Sequence, residues 1–92
     1  ENQIQLLRQA ITLVHGKGLV LGDLRGPNVL IDSNKHIQLI DLDWCGPEGS
    51  MYYPSDINLG PGMEWHPEVM GGEVIKKEHD YYMFKLLTGE EF

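Results

Sequence analysis

The run from Val29 to Ile40 most constrains what this chain can fold into. Val29, Leu30 and Ile31 form an apolar, β-branched stretch, Asp32-Ser33-Asn34-Lys35 is a turn cluster, and Ile37 and Leu39 then alternate against His36 and Gln38. Two short strand-like runs around a polar turn predict a β-hairpin, centred between Ser33 and Asn34. Antiparallel strands return to where they began. Asn28, just before the first strand, is therefore expected beside Asp41, just after the second. An amide oxygen and a carboxylate at one strand end suit a hard cation such as Mg²⁺, which takes few protein oxygens and fills its shell with phosphate oxygens. Asp23 lies in the polar loop before Asn28, placed to face whatever that cation holds.

Bulk properties set the frame. A chain of 92 residues makes at most one small domain with thin margins for burial. Its net charge of −7 argues against a nucleic-acid or anionic-membrane surface, because either needs a basic patch and the Lys and Arg residues are scattered. Cys45 is the sole cysteine, which rules out an internal disulfide and points to a reducing, cytoplasmic compartment. No apolar run is long enough to span a bilayer. The chain begins at Glu1, which suggests that it has been cut from something longer.

Around the hairpin, Ile4, Leu7, Ala10, Ile11 and Val14 fall at helical spacing, so residues 3–15 read as an amphipathic helix. Asn2 is its expected cap, with Gln5 three residues on, and Gly16 and Gly18 end it. Leu19-Val20-Leu21 is a very short strand. Residues 45–66, rich in glycine and proline, form a long loop of the kind that is functional or disordered, with an extended Tyr52-Tyr53-Pro54 and a turn at Gly60-Pro61-Gly62. His66 to Met70 is expected to make a helical turn, broken by Gly71-Gly72. Lys77 to Leu87 is the last helix, apolar on nearly every face, as in a helix at the centre of a larger body. The fold class is α+β. Cys45 with His66 or His79 lacks the paired spacing of a zinc site, so His15, His36, His66 and His79 are expected to be satisfied or exposed.

Asp23-Leu24-Arg25-Gly26-Pro27-Asn28 resembles the Asp-x-x-x-x-Asn catalytic loop of the eukaryotic-protein-kinase-like superfamily. Asp41-Leu42-Asp43 falls where that family has Asp-Phe-Gly, His66-Pro67-Glu68 resembles its Ala-Pro-Glu, and Asp80 stands where it opens the central helix of the C-terminal lobe. Each match alone is weak; four in order carry the resemblance, which covers nearly the whole chain. It implies that residues 1–92 are a partial kinase-like domain, a C-terminal-lobe segment without the N-terminal lobe or the late helices. The implied reaction transfers the γ-phosphoryl group of ATP to a hydroxyl, in the manner of a Ser/Thr-type protein kinase. Asp23 is then the base, Arg25 a phosphate contact, and Asn28 and Asp41 the Mg²⁺ ligands, with Leu42 a buried plug. The alternative for Asp23 is a turn cap through its own backbone.

Departures from the pattern keep other readings open. Leu21 replaces the family's usual His, and Gly22 the Arg that pairs with a phosphorylated activation segment, so phosphate-driven ordering is not expected. Gly before the loop Asp also resembles small-molecule kinases of the aminoglycoside-phosphotransferase type, which leaves the acceptor as a protein or a small molecule. Asp43 replaces a glycine, either as a second metal ligand or as a solvated acid. The Leu-Arg after Asp23 and the Ile-Asp-Leu-Asp-Trp run resemble fungal kinase-like proteins. No Gly-rich phosphate loop or strand Lys is present, so the isolated chain is expected to be inactive. The other reading is a non-catalytic pseudokinase or interaction module.

Overall fold

A computed structural model of the chain describes residues 2–60, 62 and 64–92. Helix α1 spans Asn2–Gly16. Its stripe turns inward, with Leu7 and Ile11 buried and Ile4 and Val14 packed beside them. Continuing that spacing by four residues reaches His15, which is buried as well. The backbone N–H groups of Lys17 and Gly18 close on the Val14 and His15 carbonyls at 3.1 and 3.0 Å. Gly18 then takes a left-handed φ of 78° and ends the helix. The expected Asn2 cap rests on a side chain outside the described residues.

Strand β1, Leu19–Val20, pairs antiparallel with β4, Gly46–Pro47, a partner with no signal in the residue pattern. Successive side chains here point to opposite sides. Val20 joins Tyr53, Val69 and Ile75 in one apolar cluster, whereas Leu21 joins Leu7, Ile11, Leu24, Met83 and Phe84 in another. The polar loop that follows springs from between these two cores.

The expected hairpin forms from β2, Val29–Ile31, and β3, Ile37–Leu39. Its register pairs Val29 with Leu39 and Ile31 with Ile37, so the apex is Asn34 rather than the Ser33–Asn34 bond. The reason is an extra residue in the turn. Lys35 donates its N–H to the Asp32 carbonyl at 2.9 Å and sits at φ 67°, the arrangement of a three-residue hairpin loop with a left-handed bulge. The Asp32 carboxylate holds the turn by accepting the N–H groups of Asn34 and His36 at 2.8 and 2.9 Å. The corrected register sets Asn28 across from Ile40, whose N–H bonds the Asn28 carbonyl at 3.0 Å.

The long loop is fastened to the body beyond β4. Met51 to Tyr53 runs alongside Gly72 to Ile75, with Tyr53 N–H on the Glu73 carbonyl at 2.9 Å and Ile75 N–H on the Met51 carbonyl at 2.8 Å. The expected Gly60-Pro61-Gly62 turn falls partly outside the described residues. His66 to Met70 is not a helical turn. It makes one tight turn, closed by Val69 N–H on the His66 carbonyl at 2.9 Å, with Pro67 in the position that favours such turns. The chain then runs against Ser55, whose carbonyl oxygen would lie 2.4 Å from a Cβ at Gly71, leaving no room for a helix side chain.

Helix α2 spans Lys77–Thr88 and is closed by Gly89 at φ 78°. It buries His79, Asp80, Met83 and Phe84. Leu86 and Leu87, on the remainder of its apolar surface, are exposed. Among the described residues, no helix is long and apolar enough to cross a membrane.

Candidate active site

The loop from Leu21 to Asn28 is held from beneath by Asp80. This carboxylate is 1% exposed. Its Oδ1 accepts the Gly22 N–H at 2.9 Å, and its Oδ2 accepts the Leu21 N–H at 2.9 Å and the His15 Nε2–H at 2.8 Å. A buried carboxylate is tolerable only when such donors replace its water. Gly22 turns the chain away at φ 83°, and a Cβ there would stand 2.8 Å from Ile75 Cδ1. Gly22→Ala is therefore expected to cost about 2 kcal/mol or more, from left-handed strain plus overpacking. Urea denaturation of the two proteins measures it.

Beyond Gly22 the loop is knitted around Asp23. Arg25 Nε donates to Asp23 Oδ1 at 2.6 Å, a charge-assisted bond to a carboxylate that is mostly buried. The Asp23 carbonyl accepts the Arg25 N–H and Asn28 Nδ2, each at 3.0 Å. Gly26–Asn28 is a 3-10 turn with Pro27 near its start, where a missing N–H costs nothing, and it carries Asn28 into a buried position. With its nitrogen donating to the loop, the Asn28 amide oxygen has no donor among the described residues.

Asp41 follows directly on the hairpin at φ 57°. Aspartate tolerates this left-handed geometry better than most residues, but it still carries strain. Asp23, Asn28 and Asp41 line one narrow cleft, with apolar walls that include Leu21, Leu24 and Leu39. Arg25 is joined to the group through its bond to Asp23. The fold thus gathers all four residues singled out from the sequence.

Other expectations fare differently. Leu42 is no buried plug, being 49% exposed. The turn closed by Cys45 N–H on the Leu42 carbonyl at 3.0 Å leaves it outside, and the apolar space beneath the loop is filled by Leu21 and Leu24. Trp44 packs inward, with its ring 5.7 Å from Tyr53 and 6.0 Å from Trp65. Asp43 is exposed and is not among the residues lining the cleft. His79, expected to be satisfied or exposed, is buried with its Nε2 lacking a hydrogen-bond partner among the described residues. The resemblance had singled out Asp80, but its anchoring of the loop and its pairing with His15 escaped sequence reasoning, although the i, i+4 step from Ile11 would have placed His15 inward.

Comparison with known proteins sets this geometry in context. The chain is 35% identical over 71 residues to the "Probable cAMP-dependent protein kinase catalytic subunit" of Encephalitozoon cuniculi (strain GB-M1), a match covering 77% of this chain and 20% of that protein. It is 32% identical over 79 residues to the "Dual serine/threonine and tyrosine protein kinase" of Pimephales promelas, covering 86% of this chain and 8% of the relative. The human protein of the same name matches to the same extent. Its relatives are protein kinases. The chain spans a fifth or less of the length of these kinases. No family model matches it, and no solved structure does. The kinase homology supports the superfamily expected from the loop and hairpin motifs, and the small α+β architecture is compatible with a piece of such an enzyme.

Proposed function

We propose that this chain is the catalytic-loop segment of a protein-kinase C-terminal lobe, in a protein that transfers the γ-phosphoryl group of ATP to a hydroxyl. The observation that carries this reading is the cleft shared by Asp23, Asn28 and Asp41. Asn28 offers an amide oxygen, because its nitrogen is spent on the Asp23 carbonyl, and Asp41 offers an exposed carboxylate. That donor set fits Mg²⁺, a hard cation that keeps several non-protein oxygens. Bound there, the ion screens phosphate charge. The chain's own residues do the rest. Asp23 accepts a hydrogen bond from the acceptor hydroxyl and takes its proton as the phosphoryl group arrives, and Arg25, fixed by Asp23, presents further donors to phosphate oxygens.

The test is Mg²⁺-dependent nucleotide binding by the full gene product. Asp41→Asn keeps the shape and the tolerance of left-handed backbone while removing the charge. It is expected to weaken Mg²⁺-ATP binding about tenfold or more, the scale of one lost charge-assisted contact. Equal Mg²⁺ dependence in both proteins would overturn the reading. A second reading, a non-catalytic module of the same fold, draws on the 2.6 Å bond that already occupies Asp23 Oδ1. It predicts nucleotide binding without turnover. The acceptor, protein or small molecule, is to be found by assaying both classes.

A further inference from the structure

Away from the cleft, His66, Glu68 and His79 bring two imidazoles and a carboxylate together, with one ligand atom from each lying within 4.8 Å of the others. We propose that these three residues bind Zn²⁺, which clamps the segment around Pro67 onto the first turn of α2. Two histidines and a glutamate are a ligand set that zinc takes readily, with solvent in the fourth position.

Three observations carry this. First, His79 is 2% exposed, yet its Nε2 has no hydrogen-bond partner among the described residues. A buried polar atom left so is costly, and it is turned toward Glu68, whose Oε1 lies 3.5 Å away. Second, that distance already fits, since ligands about 2.0–2.1 Å from a tetrahedral ion stand about 3.3 Å apart. Glu68, well exposed, can close the remaining gap by side-chain rotation, and His66, half-buried with its ring centre 4.9 Å from that of His79, must give up the 3.0 Å bond its Nδ1 accepts from the Glu68 N–H to do the same. Third, the outer support is in place. His79 Nδ1 lies 2.8 Å from the buried Tyr53 hydroxyl. Nδ1 also accepts the Lys76 N–H at 3.3 Å; metal binding at Nε2 exchanges that long bond for Nδ1–H donating to the Tyr53 oxygen, which is how a ligating imidazole is ordinarily fixed.

The competitor for the site is Lys76, whose Nζ is 3.7 Å from Glu68 Oε1. The lysine is largely exposed and the pair is a surface one, so zinc displaces it at little cost. Sequence spacing could not reveal the site. Two ligands come from one tight turn and the third from a helix that the Tyr52–Val74 bridge brings alongside.

The experiment is a Co²⁺ titration of metal-free protein in excess Mg²⁺, followed by displacement with Zn²⁺. Intense visible d–d absorption that zinc abolishes is expected from a four-coordinate site. Glu68→Gln and His66→Ala, both at positions that are not buried, are each expected to weaken Zn²⁺ binding about 100-fold or more. Asp41→Asn and the exposed-histidine variant His36→Ala should leave it unchanged. The proposal is overturned if the parent protein gives no such band, if both ligand variants bind zinc as the parent does, or if Asp41→Asn abolishes binding. Because the proposed Mg²⁺ cleft is scored separately by Asp41→Asn, failure here leaves the phosphotransferase reading untouched, and the reverse holds too.

Discussion

Replacing Asp23 with asparagine is expected to lower phosphoryl transfer about 10²–10⁴-fold, the range over which a positioned general base contributes. The readout is ADP release from Mg²⁺-ATP by the full gene product. Asparagine preserves the side chain's size, and the loop's internal bonds run through the Asp23 carbonyl, which accepts Arg25 N–H and Asn28 Nδ2. The loop should therefore keep its shape. What goes is the carboxylate that orients the acceptor hydroxyl and takes its proton. Arg25 also loses its charged partner, but its side chain is a third exposed, so the stability cost should stay within about 1 kcal/mol. Turnover should collapse while Mg²⁺-ATP affinity changes little, because Asn28 and Asp41 are untouched. A variant as fast as the parent would show that Asp23 only shapes the turn.

Asp80→Ala is expected to be the most damaging substitution to stability, at about 3–5 kcal/mol, the cost of breaking a buried charge-assisted network by removing one partner. Three donors lose their acceptor at once: the Leu21 and Gly22 N–H groups and the His15 ring. All three are in buried residues, so water cannot simply replace the carboxylate. A domain of this length has only about 5–14 kcal/mol in total, so the loss should show as a large fall in the urea midpoint. Asp80→Asn should recover only part of it, because an amide nitrogen must then face one of these donors. The effect should also reach the cleft, since the two anchored N–H groups immediately precede Asp23. An Asp80→Ala protein with an unchanged midpoint would mean that the loop holds itself.

Much of this was legible in the order of residues. The stripe of α1, the two runs of the hairpin and the glycine stops are local matters, governed by side-chain period and by backbone conformations that only a few residues accept. So was the placing of Asn28 and Asp41 at the open end of the hairpin, where both line one cleft, because that end is the same whichever of two neighbouring registers the strands take. The register itself was missed by one residue, since a left-handed Lys35 in the turn gives no compositional warning. Leu42 was read as buried and is exposed, because whether an apolar side chain finds a cavity depends on what else already fills it.

By itself, then, the sequence determined the two helices, the β2–β3 hairpin and which acidic and amide groups stand at its open end, through interactions between residues close along the chain. Only the tertiary structure decided which distant groups serve them. It placed Asp80 under Leu21 and Gly22, paired β1 with β4, and brought His79 up to Glu68 and Tyr53. Those contacts join residues far apart in the chain. They form where burial of two apolar cores leaves polar atoms without water, and each such atom must then take whichever partner the packing brings within reach.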